Sequence, residues 1–260
     1  MVNGRQPLAL CFGGGGLFGI AYLLGVSEAL EDGGVKIGPA PAIATSAGTW
    51  AAAALELGIR WEQAVEVIGG DVPRLPDPRA GRLRSVAAEI FGERRVPGMR
   101  AVVCSLPKLQ RVVLSGAQYP AADLIAASSA VPGLLAPHRV GGTLYVDGGL
   151  RSMVSADRAD AADNLLVLAP IAGPMFGPAG ALAERVLRRE VKHWQAANPS
   201  GRFWLIRPNR AIAGLARLPM NLFDLDRARR CYELAYAQGS GILRRWQDTQ
   251  STTSTDPAAP

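Results

Sequence analysis

Short apolar runs that stop on small residues alternate with longer segments whose apolar positions recur at helical spacing, and this alternation points to a fold class. Pro7 to Phe12 is an unbroken apolar run stopped by Gly13, the pattern of a strand buried on both faces. Leu17, Ile20, Ala21, Leu24 and Leu30 follow at the spacing of one helix face, and Gly33-Gly34 end that pattern. Pro41 to Thr45 repeats the apolar run, meets Ser46 and Gly48, and passes into the strong helix former Trp50-Ala51-Ala52-Ala53-Ala54-Leu55. Two such units in succession predict right-handed βαβ crossovers and a parallel sheet covered by helices, an α/β fold.

Further along, Ala101-Val102-Val103-Cys104 and Arg111-Val112-Val113-Leu114 predict two strands paired through Pro107-Lys108. Ala121 to Ala130 reads as a helix, leading through Val131-Pro132-Gly133 to the strand Leu144-Tyr145-Val146-Asp147 and then Gly148-Gly149. Leu165 to Leu168 and Phe203 to Ile206 are further strands, with a helix from about Ala179 to Ala197 between them and a last helix from Leu225 to Trp246. Residues 74–100 break the rhythm: prolines stand at 73, just before the stretch, and at 76, 78 and 97 within it, among seven arginines, and only Val86 to Phe91 keeps an apolar period. That stretch reads as a lid or insertion, with a plain basic surface connection as its alternative. Residues 1–247 then make one domain, and 248–260, rich in Ser, Thr, Pro and Ala, a disordered tail with nothing to bury.

With 260 residues, 48% hydrophobic and 19% charged, the chain has material for one large core. Lys and Arg number 28 against 22 Asp and Glu, a net +6, and only Lys36, Lys108 and Lys192 are lysines. An arginine excess of this size suits an anionic partner, and equally simple solubility. Leu8 to Val26 carries no charge and is nearly long enough to cross a bilayer. It holds six glycines, four of them consecutive (Gly13 to Gly16), and each weakens a helix by about 1 kcal/mol relative to Ala. No small-x-small cleavage site follows, so neither a membrane span nor a signal peptide is expected. Cys11, Cys104 and Cys231, odd in number and set among apolar residues, read as reduced core thiols, which points to the cytoplasm.

Three segments carry chemistry. In Ala44-Thr45-Ser46-Ala47-Gly48 a serine sits between strand and helix with small residues two positions to either side, as a nucleophile elbow requires, because larger neighbours collide in so sharp a turn. The bland alternative is a helix N-cap serine. Gly13 to Gly16, at the end of the first strand, offer backbone N–H groups to an anion with no Cβ in the way. No Gly-Lys-Ser/Thr follows to favour a nucleotide phosphate, so a developing oxyanion is the better use. Asp147-Gly148-Gly149 holds a carboxylate at a strand end between residues too small to block it; a plain turn aspartate is the alternative.

In this order, the three segments resemble the motifs of the patatin-like phospholipase family. Gly14-Gly15-Gly16-Leu17-Phe18-Gly19 is similar to that family's glycine-rich oxyanion loop, Ala44-Thr45-Ser46-Ala47-Gly48 to its elbow, and Asp147-Gly148-Gly149 to its acid motif. Ala127-Ser128-Ser129-Ala130-Val131-Pro132-Gly133 also resembles its stretch before the acid strand, and the likeness spans Leu8 to about Asp157. Two positions depart from the family pattern: Phe18 stands where it has Arg or Lys, and Ala44 replaces the first elbow glycine. The resemblance implies a three-layer α/β/α sandwich with a mostly parallel sheet and a lipid acyl hydrolase built on a Ser46–Asp147 dyad. Gly14, Gly15 and Gly16 would then form the oxyanion hole, with Gly19, Ala44, Gly48, Gly148 and Gly149 supporting it, and no metal or cofactor is required. Two alternatives stand beside it: an esterase triad of Ser46, Asp147 and His193, and a non-catalytic lipid- or acyl-binding protein on the same scaffold. His193 falls within a charged amphipathic helix, and His138 lies near the acid strand. Expected partners are a lipid or acyl-ester substrate and an anionic membrane surface met peripherally, through the arginine-rich stretch or the helix bearing Arg185, Arg188, Arg189 and Lys192. Aromatics interleaved with the basic residues, as nucleic-acid binding needs, are absent.

Overall fold

The computed structural model describes residues 5–70 and 76–253. The chain runs β1 (Gln6–Phe12), α1 (Gly16–Asp32), β2 (Ala42–Thr45), α2 (Ala47–Glu56), α3 (Trp61–Gly70), α4 (Arg82–Phe91), β3 (Met99–Ser105), β4 (Gln110–Ser115) and α5 (Ala121–Ser128). It continues through β5 (His138–Val140), β6 (Thr143–Asp147), β7 (Ala162–Leu168), α6 (Gly177–Ala197), β8 (Arg202–Ile206), α7 (Arg210–Ala213) and α8 (Leu225–Thr253), with short 3-10 turns between. One mixed, mostly parallel sheet is ordered β5-β6-β3-β2-β1-β7-β8, with β4 also paired to β3. The pairs β1–β2, β2–β3, β1–β7 and β7–β8 are parallel, as the successive βαβ units require.

Both faces of the sheet are covered, which is why its strands are apolar throughout and not alternating. Leu10 and Phe12 of β1 point into a core shared with α1, α2, α5 and α8, while Ala9 and Cys11 point the other way, onto Leu187, Val191 and Trp194 of α6. Helix α1 is buried along nearly its whole length, between the sheet and α8, so the charge-free stretch from Leu8 to Val26 is interior to the protein. No helix among the described residues is long and apolar enough to cross a membrane. All three cysteines are buried among apolar side chains, as expected.

The structure adds helix or strand to what was expected at three places. Of the stretch 74–100, residues 74 and 75 lie outside the described residues and the rest contains α4, whose Val86, Ala87 and Phe91 are buried; Arg84 of this helix ion-pairs with Asp123 of α5 at 2.8 Å. Helices α3 and strand β5 were not expected; Trp61, Ala64, Val65 and Ile68 bury one face of α3 at helical spacing. Helix α8 continues through Thr253, past Trp246 and into the expected tail, because nothing in the sequence breaks the helix there. Residues 254–260 of that tail lie outside the described residues.

Candidate functional site

Strand β3 explains how Ser46 and Asp147 meet. One of its edges is filled along Arg100–Ser105 by β4, so the parallel strand β2 and the antiparallel strand β6 must share the other edge. The register places Thr45 opposite Val102 and Asp147 opposite Val103, so the two strands arrive end to end from opposite directions. Ser46 leaves β2 and Asp147 ends β6 at the same level of β3. The two side chains converge although a hundred residues separate them in the chain.

Ser46 adopts φ 52° and ψ −119° between β2 and α2, a conformation unfavourable for a non-glycine residue and consistent with a sharp strand-to-helix elbow. Several contacts hold it. Its N–H donates to Ser128 Oγ at 2.8 Å, and that hydroxyl donates onward to the Val102 carbonyl, also at 2.8 Å. Thr49 Oγ1 donates to the Ser46 carbonyl at 2.7 Å. Gly48 has to be glycine, since a Cβ there would lie 2.3 Å from the Phe12 carbonyl oxygen; Gly148 is constrained alike, 2.4 Å from that of Val102. Ala44, buried within β2, takes its methyl into the core without such a clash.

The Asp147 carboxylate is buried, accepts the Gly149 N–H at 2.6 Å and interacts with the Ser46 side chain, which favours its ionised form. Burial dominates over these two interactions and pushes its pKa from 3.8 up to about 6. It therefore remains ionised at neutral pH, yet accepts a proton far more readily than a free carboxylate.

The glycine loop needs one correction. The Gly14 N–H, expected to face an oxyanion, donates to the Met153 carbonyl at 2.8 Å, which pins the loop to the segment after Asp147. Gly15 and Gly16 open α1, and their N–H groups have no protein partner among the described residues. Gly16 sits at φ +60° against the Leu222 carbonyl. Gly19 donates to the Gly15 carbonyl and lies over Ala47, so the N-termini of α1 and α2 are side by side and both direct partial positive charge at the same region. Phe18, in place of the family's basic residue, is fully buried and packs edge-on to Phe176 at 6.2 Å between centroids. The Ser128 tether was not foreseen from sequence; Ser128 stood inside a quoted motif without a role.

Ser46 stands at the edge of an apolar cavity of about 100 Å³, walled by Leu17, Ile20, Trp50, Ile68, Leu83 and Val86. The histidines are elsewhere. His193 is exposed on α6 in a groove with Arg111 and Glu190, and His138 of β5 bonds to Asp123 at 2.9 Å, so neither is brought to the pair.

Residues 103–160 match the family model described as patatin-like phospholipase. The match includes Ser128, Asp147, Gly148 and Gly149, and stops short of Ser46 and the glycine loop. No curated protein matches the chain.

Proposed function

We propose that this chain, by its residues 103–160 a member of the patatin-like phospholipase family, hydrolyses lipid acyl esters through Ser46 and Asp147. The observation that carries the proposal is the Ser46 side chain held at a strained elbow against a buried carboxylate whose pKa is raised to about 6. Ser46 Oγ attacks the acyl carbonyl while Asp147 takes its proton. The resulting oxyanion is met by the free N–H groups of Gly15 and Gly16, strengthened by the dipole of α1. Collapse expels the alcohol, which leaves with the proton from Asp147. Water then attacks the acyl-serine, passes its proton to Asp147 and releases the acid, and the proton returns to Ser46.

The apolar cavity beside Ser46 receives the carbonyl end of the acyl chain. At about 100 Å³ it is smaller than the ~150 Å³ cavity that holds a benzene, so it takes a few carbons and not a full fatty-acid tail. Helix α4 contributes Leu83 and Val86 to the wall, so in this reading the segment expected as a lid limits the length of chain the cavity takes.

Hydrolysis of a water-soluble p-nitrophenyl butyrate tests the assignment. Ser46→Ala and Asp147→Asn are expected to lose about a thousandfold or more in kcat, while His193→Ala keeps the wild-type rate. Esterase activity retained in Ser46→Ala contradicts the proposal, and its loss in His193→Ala points instead to the triad.

A further inference from the structure

A second and larger cleft opens on the other side of the glycine loop. It encloses about 450 Å³, is mostly apolar, and includes Gly149, next to the acid, and Met153, whose carbonyl anchors Gly14. Its rim is unusual for a soluble surface. Leu150, Leu182 and Leu218 are 50%, 60% and 56% exposed, and Met220 is 73% exposed. Leu150 and Leu182 line the cleft, and Leu218 and Met220 flank Pro219, which also lines it; the four are half of the eight exposed large apolar side chains among the described residues, and they come from three separate segments: the turn after Asp147, helix α6 and the loop before α8. Scattered exposed leucines are ordinary, whereas several converging around one cleft mark an interaction surface.

Charge decides the partner. Arg151 and Arg217 line the cleft, and Arg151 and Val186 continue it into the neighbouring groove that holds Arg189. On α6, Leu182, Val186 and Arg189 fall on one stripe, apolar towards the cleft and basic beyond it. Nearby acids are already engaged: Asp157 and Glu190 with Arg111, and Glu184 with Arg188 and Arg207. Arg151, Arg189 and Arg217 make no ion pair among the described residues. A second copy docked through the same face would set these arginines against their own images in a chain of net charge +6. A bilayer bearing anionic headgroups meets both features, with acyl chains for the leucines and methionine and phosphates for the arginines.

We infer that the face around Leu150, Leu182, Leu218 and Met220, ringed by Arg151, Arg189 and Arg217, docks this protein on anionic lipid surfaces and holds the Ser46 site against them. The surface shares Arg189 with the basic helix expected from sequence (Arg185, Arg188, Arg189 and Lys192) and takes no residue from the 74–100 stretch. Its purpose rests on the hydrolase reading of the site, but its existence does not.

Co-sedimentation of the full chain with vesicles tests it, using phosphatidylcholine mixed with phosphatidylglycerol against phosphatidylcholine alone. Binding is expected only to the mixed vesicles. Leu218→Asp with Met220→Asp should weaken it about 100-fold, and Arg151→Gln and Arg217→Gln about fivefold each. Because Leu218 and Met220 are solvent-exposed, the double variant should fold and hydrolyse soluble p-nitrophenyl butyrate at the wild-type rate. Equal binding of the double variant, equal binding to both vesicle types, or a wild-type dimer that the double variant dissociates would each overturn the inference. Vesicle binding by a wild type that fails to cleave the soluble ester would instead overturn the hydrolase reading and leave the docking surface standing.

Discussion

At the residue scale, the site sets stability against reactivity in Asp147. Its native pKa of about 6 lies above the unfolded 3.8, so the native state holds the proton more tightly. The stability this contributes is present below pH 3.8 and is lost as pH rises through about 6, a difference of about 3 kcal/mol by pH 8. Asp147→Asn removes the titration while keeping a carbonyl oxygen for the Gly149 N–H. Denaturant unfolding at pH 4 and pH 8 should show the variant gaining on the wild type with rising pH by up to that amount; a difference that stays flat contradicts the raised pKa. Activity runs the opposite way, because the base must be ionised, so kcat/KM should rise with pH through about 6. Ser46, Asp147, Gly48 and Gly148 were legible in sequence because sharp turns and close backbone approaches admit few residue types. The Gly14 N–H was not, because its partner Met153 comes from a distant segment that only the folded chain brings near.

At the element scale, β1, α1, β2 and α2 followed from hydrophobic runs bounded by glycine, since strands buried on both faces have little room for polar residues. Three elements were hidden for different reasons. Three-residue β5 exists through its pairing with β6 and has no pattern of its own. Helix α4 buries Val86, Ala87 and Phe91 within a stretch whose prolines and arginines dominate its composition. Helix α3 carries a regular apolar period, Trp61, Ala64, Val65 and Ile68, but it is only ten residues long. Helices α3 and α4 supply the cavity wall through Ile68, Leu83 and Val86, so the wall proposed to limit chain length was the part of the site least visible in sequence. Leu83→Ala should open that wall. The ratio of kcat/KM on the octanoate ester to that on the butyrate ester is expected to rise roughly tenfold, and an unchanged ratio removes α4 from the acyl site.

At the scale of the whole molecule, the site exists because β3 offers a single edge to two strands arriving from opposite directions, a topology that brings Ser46 and Asp147 together without a histidine. The charge-free stretch from Leu8 to Val26 is long enough to be mistaken for a membrane span, and in the fold it supplies the central strand, the glycine loop and the innermost helix. What reaches lipid in this account is a rim beside the site, while the apolar segment stays inside. All of it depends on Ser46 being the nucleophile that Asp147 activates. Reaction with a fluorophosphonate, followed by intact mass and peptide mapping, tests that directly. One adduct is expected, on Ser46, forming faster as pH rises through about 6, nearly abolished in Asp147→Asn and unaffected in His193→Ala. An adduct on another residue, or Asp147→Asn labelling as fast as the wild type, would contradict it.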